Sequence, residues 1–274
     1  MLVDHHLHLE KGPYTPDNYP RSWLDRYVEQ MRQSGVARLG IVEHGYRFLE
    51  AKGILNLPWA DARCHYHLQP FVDFILAAKD DGYPVALGVE MDYVPGKEEE
   101  IWNFLRRAPW DFVIGSVHFL GDWGIDLAEE AHRWAVHDPQ EVWERYYETM
   151  VAAAESRLFD ILSHPDLPKI FGQRPPEGVQ DWYPVLAKAL AAAGMAMEVN
   201  TAGLRKPIGE IYPNRLLVAA AREAGVPVTI GSDAHTPEDV GKGFPEAVAL
   251  LLNAGYRETV SFLERQMERH PLPL

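Results

Sequence analysis

The sequence predicts an α/β protein in which parallel strands alternate with helices and close into a seven-stranded barrel of a single domain, residues 1–274. Three observations lead to this prediction. Strand and helix patterns alternate along the chain, as in proteins with a parallel sheet. Six of the strand-like runs lead into histidine or carboxylate residues. Finally, a chain of 274 residues, of which 47% are hydrophobic, can bury the core of such a barrel as one domain.

The apolar runs and the helical patterns give the order of the elements. Seven strands are predicted near residues 2–8, 38–44, 84–92, 112–119, 159–164, 195–201 and 227–233. Helices are predicted at about 20–34, 66–80, 97–107, 139–157, 179–193 and 214–224, and further helices near 244–252 and 258–269. The longest irregular stretches, 45–64, 119–137 and 168–178, each follow a strand that carries a potential ligand. In a barrel such loops cover the active site.

Two of the predicted helices carry clear end signals. Asp138 is an N-cap residue, Pro139 suits the first helical position, and Glu141 completes a capping box. Asn214 can cap the helix that ends at Gly225. These signals fix the two helices that flank the later strands of the barrel.

Charge and cysteine content exclude several classes of protein. The chain has 26 basic and 40 acidic residues and a formal net charge of −14, which argues against a surface that coats nucleic acid. Cys64 is the only cysteine, so the chain has neither an internal disulfide nor a cysteine-based zinc site. No signal-peptide pattern follows Met1, and no apolar run approaches the roughly 20 residues of a membrane span. We expect a cytoplasmic protein that binds neither nucleic acid nor membranes, and the sequence carries no signal for its oligomeric state.

The predicted strands deliver potential metal ligands from the same end of the barrel. His6 and His8 lie two residues apart on the first strand, so both imidazoles point to one face. Asp233 and His235 repeat this spacing after the last strand, which barrel closure places beside the first. The other candidates follow the strands between them, and they are His44, Glu90, His118 and His164. This pattern predicts one polynuclear metal site in the mouth of the barrel.

Glu90 is the candidate for a bridging ligand, because a carboxylate can bind two cations and offset their mutual repulsion. With His118 and His164 the set can hold two ions, and the remaining histidines suggest a third. Asp4 has the same strand parity as His6 and is predicted to fix the tautomer of an imidazole.

The other histidines are predicted to lie outside the site. His65 and His67 open a helical pattern, in which a two-residue spacing puts side chains on different faces, so we expect them at the surface. His5 should point away from His6, towards the outer layer of the barrel. Solvent-exposed positions are expected for His132, His137 and His270.

Together these motifs resemble the polymerase and histidinol phosphatase (PHP) superfamily. The matching segments occur in the family order, at residues 4–8, 43–44, 88–90, 116–118, 164–166 and 231–235. Residues 88–93, 116–120 and 198–206 look most like the histidinol-phosphate phosphatase branch. The resemblance implies a distorted, TIM-like (β/α)7 barrel and three divalent metal ions, with zinc, iron or manganese as candidates.

The resemblance also assigns the ligands of each ion. The first ion would be held by four residues, His6, His8, Glu90 and Asp233; the second would be held by Glu90, His118 and His164; and the third by His44 and His235. Where the family usually offers a further His or Asp to the third ion, this sequence has Tyr14. Glu10 shares the strand face of His8 and is predicted as the substitute. The alternative is that Glu10 is a solvated loop acid and that the third site is weak or empty.

Cations held by histidine and carboxylate suit hydrolysis. Two cations flanking a water lower its pKa from about 16 towards 7 and also neutralise the charge of a phosphoryl group. The sequence has no Gly-x-Ser-x-Gly motif, and Cys64 lies outside the strand-end motifs, so no covalent nucleophile is indicated. We therefore predict a phosphoric monoester hydrolase in which Glu90, Asp233 and Arg205 act in catalysis.

Substrate recognition needs cationic groups for the phosphate and other groups for the alcohol. Arg205 follows the sixth strand and can bind two phosphate oxygens through its planar guanidinium; weaker candidates are Lys169, Arg47 and Lys206. Acidic and aromatic residues in the long loops, which suit a cationic alcohol, are Asp92, Tyr93, Trp123 and Asp126.

The resemblance implies that the substrate is L-histidinol phosphate, which a metal-bridging hydroxide would hydrolyse to L-histidinol in histidine biosynthesis. One alternative is a PHP-family phosphoesterase that acts on another small phosphate ester. A less favoured alternative is an amidohydrolase, which would need eight strands and often a carbamylated lysine where Glu90 stands. A nucleic-acid-processing module is disfavoured by the acidity of the chain.

Overall fold

The computed structural model describes residues 1–10, 12, 15 and 18–273. Within them, seven parallel strands pair in chain order and form a closed barrel, as the sequence predicted. The barrel strands are β1 Val3–His8, β2 Arg38–Val42, β3 Val85–Asp92, β4 Phe112–Ser116, β7 Ile161–Leu162, β8 Ala196–Asn200 and β9 Val228–Gly231. Two short antiparallel strands, β5 Phe119–Leu120 and β6 Trp123–Gly124, pair outside the barrel, and a hairpin follows β9.

The barrel strands are buried almost throughout, because their inward face packs in the barrel and their outward face packs on the helices. Pairing between Asp4 and Ile230 closes the barrel, so β9 lies beside β1. The ladder between β1 and β2 shifts register between Asp4 and Leu7, and β7 has only two residues. These irregularities distort the barrel and re-aim the ends of the strands.

The helices surround the barrel, and seven of the eight match the predicted patterns within a few residues; the exception, Pro58–Asp61, lies in a stretch that was predicted to be irregular. The structure describes α1 Arg21–Gln33, α2 Pro58–Asp61, α3 Leu68–Asp80, α4 Glu98–Leu105, α5 Pro139–Ser156, α6 Trp182–Ala193, α7 Arg215–Glu223 and α8 Phe244–Asn253. Asp138 accepts a hydrogen bond from the backbone N–H of Gln140, and Asn214 accepts from Leu216 and Leu217. These two caps satisfy N–H groups that a helix start otherwise leaves unpaired. None of the helices in the described residues is long and apolar enough to cross a membrane.

The prediction of a helix at residues 258–269 is wrong. This segment forms the antiparallel hairpin β10 Glu258–Leu263 and β11 Gln266–Pro271, joined at Glu264 and Arg265. Both turn residues have positive φ, which Asn-Gly pairs normally supply, so the usual hairpin signal is absent from the sequence. Contacts to the barrel hold the turn instead: the backbone N–H of Arg265 donates to the carbonyl of Asp111 at 2.8 Å.

The hairpin covers the end of the barrel that is opposite the predicted metal site. Val260 and Phe262 belong to a hydrophobic cluster with Phe112 and with apolar residues of the other strands. The ring of His5 packs edge-on against Phe112 and Phe262, at centroid distances of 5.5 and 6.4 Å. His5 thus lies outside the metal site, as predicted, and burial lowers the pKa of its imidazole to about 3. The prediction that His270 is exposed to solvent is wrong. Its ring is half-buried, and Nε2 lies 2.7 Å from Oγ of Ser261.

Candidate metal centre

The strand ends bring the predicted ligands together in the mouth of the barrel. Nε2 of His6 and Nε2 of His8 lie 3.2 Å apart, and Oε2 of Glu90 lies 3.3 and 3.4 Å from them. Oδ1 of Asp233 lies 3.9 Å from the first imidazole and 3.8 Å from the second. These four side chains converge as a single donor set, and the first three are fully buried.

The two carboxylate oxygens of Glu90 face two different groups of imidazoles. Oε2, which faces the β1 histidines, also lies 2.8 Å from Nδ1 of His44. Oε1 lies 3.3 Å from Nε2 of His118 and 3.2 Å from Nε2 of His164. The hydroxyl of Ser116 donates to Oε1 at 2.7 Å and fixes the plane of the carboxylate. This is the geometry that a bridging carboxylate requires.

A third group of donors lies at the outer side of the cluster. The ring of His8 stacks between those of His44 and His235, with centroid distances of 4.3 and 4.5 Å. Oε1 of Glu10 lies 2.8 Å from Nε2 of His235, while Oε2 of the same carboxylate pairs with Arg47. Glu10 therefore has the position predicted for a substitute ligand. Tyr14, which the sequence places at the usual ligand position, lies outside the described residues.

Buried carboxylates orient the imidazoles. Oε1 of Glu198 lies 2.8 Å from Nδ1 of His6, and its other oxygen accepts the backbone N–H of His164 at 3.0 Å. Asp92 lies 2.9 Å from Nδ1 of His118. In both pairs Nδ1 is the donor, which leaves Nε2 as the free ligand atom that faces Glu90.

The prediction that Asp4 orients an imidazole is wrong. Its carboxylate accepts backbone N–H groups of Ser232 at 2.8 Å and Gly241 at 3.1 Å, so it holds the chain after β9 against β1. Glu198 has the predicted role instead. The signal in the sequence was a carboxylate in the middle of the apolar strand β8, which only a buried cationic or donor partner can stabilise.

The predicted alcohol-binding residues divide into three groups. Asp92 contacts His118, as described above. The hydroxyl of Tyr93 donates to Glu98 at 2.6 Å, and Trp123 stacks on His137 at 4.8 Å, so the contacts of both are with residues outside the donor set. Asp126 is the remaining candidate. Burial raises the pKa of Asp126, although the neighbouring imidazoles of His118 and His164 act against it.

The four cationic candidates differ in their surroundings. Arg205 lies beside the cluster, where it donates to the carbonyl of Ser232 at 2.6 Å and lies 3.4 Å from the carbonyl of Asp233. Arg47 pairs with Glu10 and lies 3.4 Å from Glu43. Lys206 is exposed.

Lys169 does not join the metal cluster. Its buried ammonium lies 2.9 Å from the carboxylate of Asp166 and donates to the carbonyl of Ile211 at 2.8 Å. It lines a separate cavity of about 580 Å³, none of whose lining residues is a predicted metal ligand. These contacts disfavour the predicted binding of the substrate phosphate by Lys169.

Backbone conformation marks two of the predicted ligands. His164 has a φ of 25° and Asp233 has a φ of 52°, in the left-handed region that favours glycine. Such conformations cost free energy and persist where the surroundings impose them, often at functional sites. The carbonyl of His164 accepts a hydrogen bond from Tyr146, and the N–H of Asp233 donates to the carbonyl of His6 at 2.6 Å. These contacts hold the two side chains at the cluster.

The cluster combines buried negative carboxylates with basic imidazoles. Burial opposes protonation of His6, but Glu198 and Glu90 outweigh it and raise the pKa of His6 well above its usual value. Burial likewise opposes protonation of His118, and Asp92 and Glu90 raise its pKa to about 10. Burial acts to raise the pKa of Glu90, but the surrounding imidazoles hold that pKa well below its usual range. Positive charge at this position, from protons or from cations, is therefore needed to balance the carboxylates.

The donor set fits divalent cations. Oε2 of Glu90 and Nδ1 of His44 lie 2.8 Å apart. Both atoms are buried, and neither has a hydrogen-bond partner of good geometry among the described residues. Three groups of donors could each hold an ion, because the ligand atoms within each group lie within 4.8 Å of one another. The groups are His8, His44 and His235; His6, His8 and Glu90; and His44, Glu90 and His118. Nitrogen and oxygen donors that converge in this way indicate a site for divalent metal.

Comparisons with known proteins identify the family of the chain. The PHP domain model matches residues 6–202, and a PHP-associated model matches residues 212–247. The chain is 36% identical to a "Probable histidinol-phosphatase" of Deinococcus radiodurans over 97% of this chain and 98% of that protein. It is 25% identical to a "Histidinol-phosphatase" of Bacillus subtilis over 88% of this chain and 96% of that protein.

A solved structure shares the fold. The histidinol phosphate phosphatase of Lactococcus lactis, crystallised with zinc, L-histidinol and phosphate, superposes with a TM-score of 0.75 at 21% identity. The match covers 97% of this chain and 98% of that one. With the family model spanning more than half of the sequence, these findings establish that the chain belongs to the PHP domain family.

Proposed function

We propose that this protein is a metal-dependent phosphomonoesterase that hydrolyses L-histidinol phosphate to L-histidinol and phosphate, a step of histidine biosynthesis. The observation that carries the proposal is the position of Glu90, whose two oxygens face two separate groups of imidazoles. The names of the relatives from Deinococcus radiodurans and Bacillus subtilis support the choice of substrate.

The donor set suits three divalent ions, for which zinc, iron and manganese are the candidates. His6, His8, Glu90 and Asp233 are proposed for the first ion; Glu90, His118 and His164 for the second; and Glu10, His44 and His235 for the third. When bound, divalent cations lower the pKa of water and offset the charge of a phosphate ester.

The residues of the chain would position the substrate and the donors. Glu90 keeps the two inner groups of imidazoles at a fixed separation, because the hydroxyl of Ser116 holds its carboxylate. Asp233 presents its carboxylate from a strained backbone position, and the guanidinium of Arg205 lies at the adjacent carbonyls. We propose that Arg205 turns from these carbonyls to the oxygens of the substrate phosphate, which a planar guanidinium can bind in pairs.

The whole chain, residues 1–274, is proposed to act as one PHP domain. The segment matched by the PHP-associated model contains β9, and β9 closes the barrel against β1. The amidohydrolase alternative is disfavoured, because the barrel of the described residues has seven strands and Glu90 stands where that family often has a lysine. A cytoplasmic location remains a proposal from the sequence.

A kinetic comparison of phosphate esters tests the proposed function. The purified protein, reconstituted separately with zinc, iron or manganese, would be assayed with L-histidinol phosphate and with p-nitrophenyl phosphate. We expect kcat/KM for L-histidinol phosphate to be greater by orders of magnitude. Equal values, or a preference for the aryl ester, would contradict the proposed substrate but not the metal centre.

A further inference from the structure

The cavity that Lys169 lines lies where the loops after β7 and β8 meet the helices α6, α7 and α8. Its volume of about 580 Å³ is enough for a small organic molecule. Aliphatic side chains form much of its wall, and they are Leu204, Ile211, Leu216 and Leu250. A molecule held by this wall would contact none of the predicted metal ligands.

Two leucines of the cavity are exposed to solvent. Leu216 is 53% exposed and Leu204 is 37% exposed, whereas the leucines of the barrel core are buried. They reach the same cavity from different elements, the first from α7 and the second from the turn Thr201–Arg205. Exposed apolar side chains that share one concave surface indicate a binding site for an apolar group.

One cation of the cavity has no counter-charge. The ammonium of Lys169 pairs with Asp166, and the guanidinium of Arg174 pairs with Glu210. Arg215 also lines the cavity, but its guanidinium has no ion-pair or hydrogen-bond partner within the described part of the chain. In a chain with a net charge of −14, an uncompensated cation beside an apolar wall favours a ligand with one negative charge.

The start of α7 adds to this positive charge. Arg215 is the first residue of the helix, and the capping residue Asn214 lines the cavity as well. The backbone dipoles of a helix give its first turn a partial positive charge, which stabilises an anion. The charged end of a ligand is therefore expected beside Arg215, with its aliphatic part against the leucines.

The cavity shares a short turn with the metal centre. Leu204 lines the cavity, while its neighbour Arg205 donates to the carbonyl of Ser232 beside the donor set. Both residues belong to the turn Thr201–Arg205. A ligand that packs against Leu204 would therefore restrict the guanidinium that is proposed to bind the substrate phosphate.

We propose that this cavity binds a small organic anion with an aliphatic body, and that the bound anion changes the affinity for phosphate esters through Arg205. The charged end of the anion contacts Arg215, and its chain packs on Leu204 and Leu216. Binding of the anion stands on the cavity alone, whereas the effect on ester affinity rests on the proposed phosphomonoesterase activity.

Two probes with the same chain and opposite charges test the binding. They are octane-1-sulfonate, whose sulfonate is a weak metal ligand, and octylammonium. Calorimetric titrations would compare the metal-loaded wild-type protein with Arg215→Gln and Leu216→Glu. The matched controls are Arg107→Gln and Val136→Glu, at exposed positions outside the cavity.

We expect wild type and both controls to bind octane-1-sulfonate about 10-fold more tightly than octylammonium, because Arg215 attracts one and repels the other. The net charge of −14 favours the ammonium elsewhere on the protein, so this order of affinity reports the cavity. Arg215→Gln should lose the preference. Leu216→Glu should bind the sulfonate about 10-fold less tightly than wild type, since an apolar contact is lost and a negative charge is added.

Steady-state kinetics test the effect on the metal centre. Saturating octane-1-sulfonate should change KM for p-nitrophenyl phosphate by about 5-fold in wild type and in both controls, a typical coupling between two sites. At the same concentration of sulfonate the change in Leu216→Glu should be smaller, because less of the variant is occupied.

Three results would count against the proposal. Wild-type protein that shows no saturable binding of octane-1-sulfonate would overturn it, as would equal binding by wild type, Arg215→Gln and Leu216→Glu. Saturable binding that leaves KM unchanged would overturn the effect through Arg205. Failure of the proposed function gives a different result, a protein that hydrolyses no phosphate ester, and the titrations then still decide whether the cavity binds the anion.

Discussion

Nδ1 of His6 lies 2.8 Å from Oε1 of Glu198, and both side chains are fully buried. The carboxylate fixes the imidazole with its Nε2 towards Glu90, and its second oxygen holds the backbone of His164. One residue of β8 thereby aligns ligands from two other strands. Glu198 also accepts a hydrogen bond from the amide of Asn200 at 3.0 Å, but its contacts with His6 and His164 give it the role of positioning ligands.

Replacing Glu198 should weaken metal binding more than it weakens the fold. The neutral amide of Glu198→Gln cannot stabilise the Nδ1–H of His6 as a carboxylate does. Loss of such an outer partner typically lowers metal affinity about 10- to 100-fold. Chelator competition measures that affinity. Glu177→Gln, at an exposed position, is the control and should match wild type. Unchanged metal affinity in Glu198→Gln would show that the contact does not orient the imidazole.

Removing Glu10 tests the third ion. Its carboxylate lies 2.8 Å from Nε2 of His235, whereas the contacts of Glu90 that define the two inner groups do not involve it. Glu10→Ala should therefore bind one ion fewer per chain and keep the others, as counted by elemental analysis after dialysis. The same metal count as wild type would remove Glu10 from the ligand set and leave it as the partner of Arg47.

Replacing Arg205 should affect the substrate and spare the metals. The guanidinium lies at the carbonyls of Ser232 and Asp233, next to the site but outside the donor set. Arg205→Ala should lower kcat/KM for phosphate monoesters about 10- to 100-fold, the value of one hydrogen bond to a charged group. Metal content should stay normal, and Arg107→Ala, at an exposed position, should behave as wild type. Wild-type kinetics in Arg205→Ala would place the residue outside the phosphate site.

Metal binding should release protons near neutral pH. Although burial acts against protonation, Asp92 and Glu90 raise the pKa of His118 to about 10, so the metal-free imidazole is protonated at pH 8. A metal ion needs the neutral form, and its apparent affinity should therefore rise as the pH increases towards 10. Calorimetric titrations at pH 8 in buffers of different ionisation enthalpy count the protons released. An affinity that is independent of pH between 7 and about 9 would contradict this charge state.

The imidazole of His118 also affects the stability of the metal-free protein. A folded-state pKa of about 10 lies above the ordinary value of 6.5, so the folded state binds the proton more tightly than the unfolded state. The resulting stabilisation is present in full below pH 6.5 and is lost as the pH rises to about 10. Thermal unfolding of the metal-free protein should therefore shift to lower temperature over this range.

The barrel and most of the donor set could be predicted from the sequence. Alternating apolar strands and helices determine the layers, and parallel strands deliver their ends to one side of a barrel. The convergence of His6, His8 and Glu90 followed from that geometry, since each stands within two residues of the carboxyl end of a buried strand. Buried strands tolerate such residues only when partners satisfy them.

The errors have a common physical cause. The turn at Glu264 and Arg265 and the partner of His6 are determined by contacts between residues far apart in the chain. Local patterns therefore missed the hairpin, whose turn is held by Asp111, and chose Asp4 over Glu198 as the residue that orients His6. The roles of Tyr93 and Trp123 were missed for the same reason, because loop side chains depend on the packing around them.

The most direct test of the metal centre is anomalous diffraction from crystals of the protein grown with zinc, recorded above and below the zinc absorption edge. We expect separate anomalous peaks on the two sides of Glu90, one beside each carboxylate oxygen, and a further peak near Glu10 and His235. Crystals that diffract well but show no anomalous peak within coordination distance of Glu90 would contradict it.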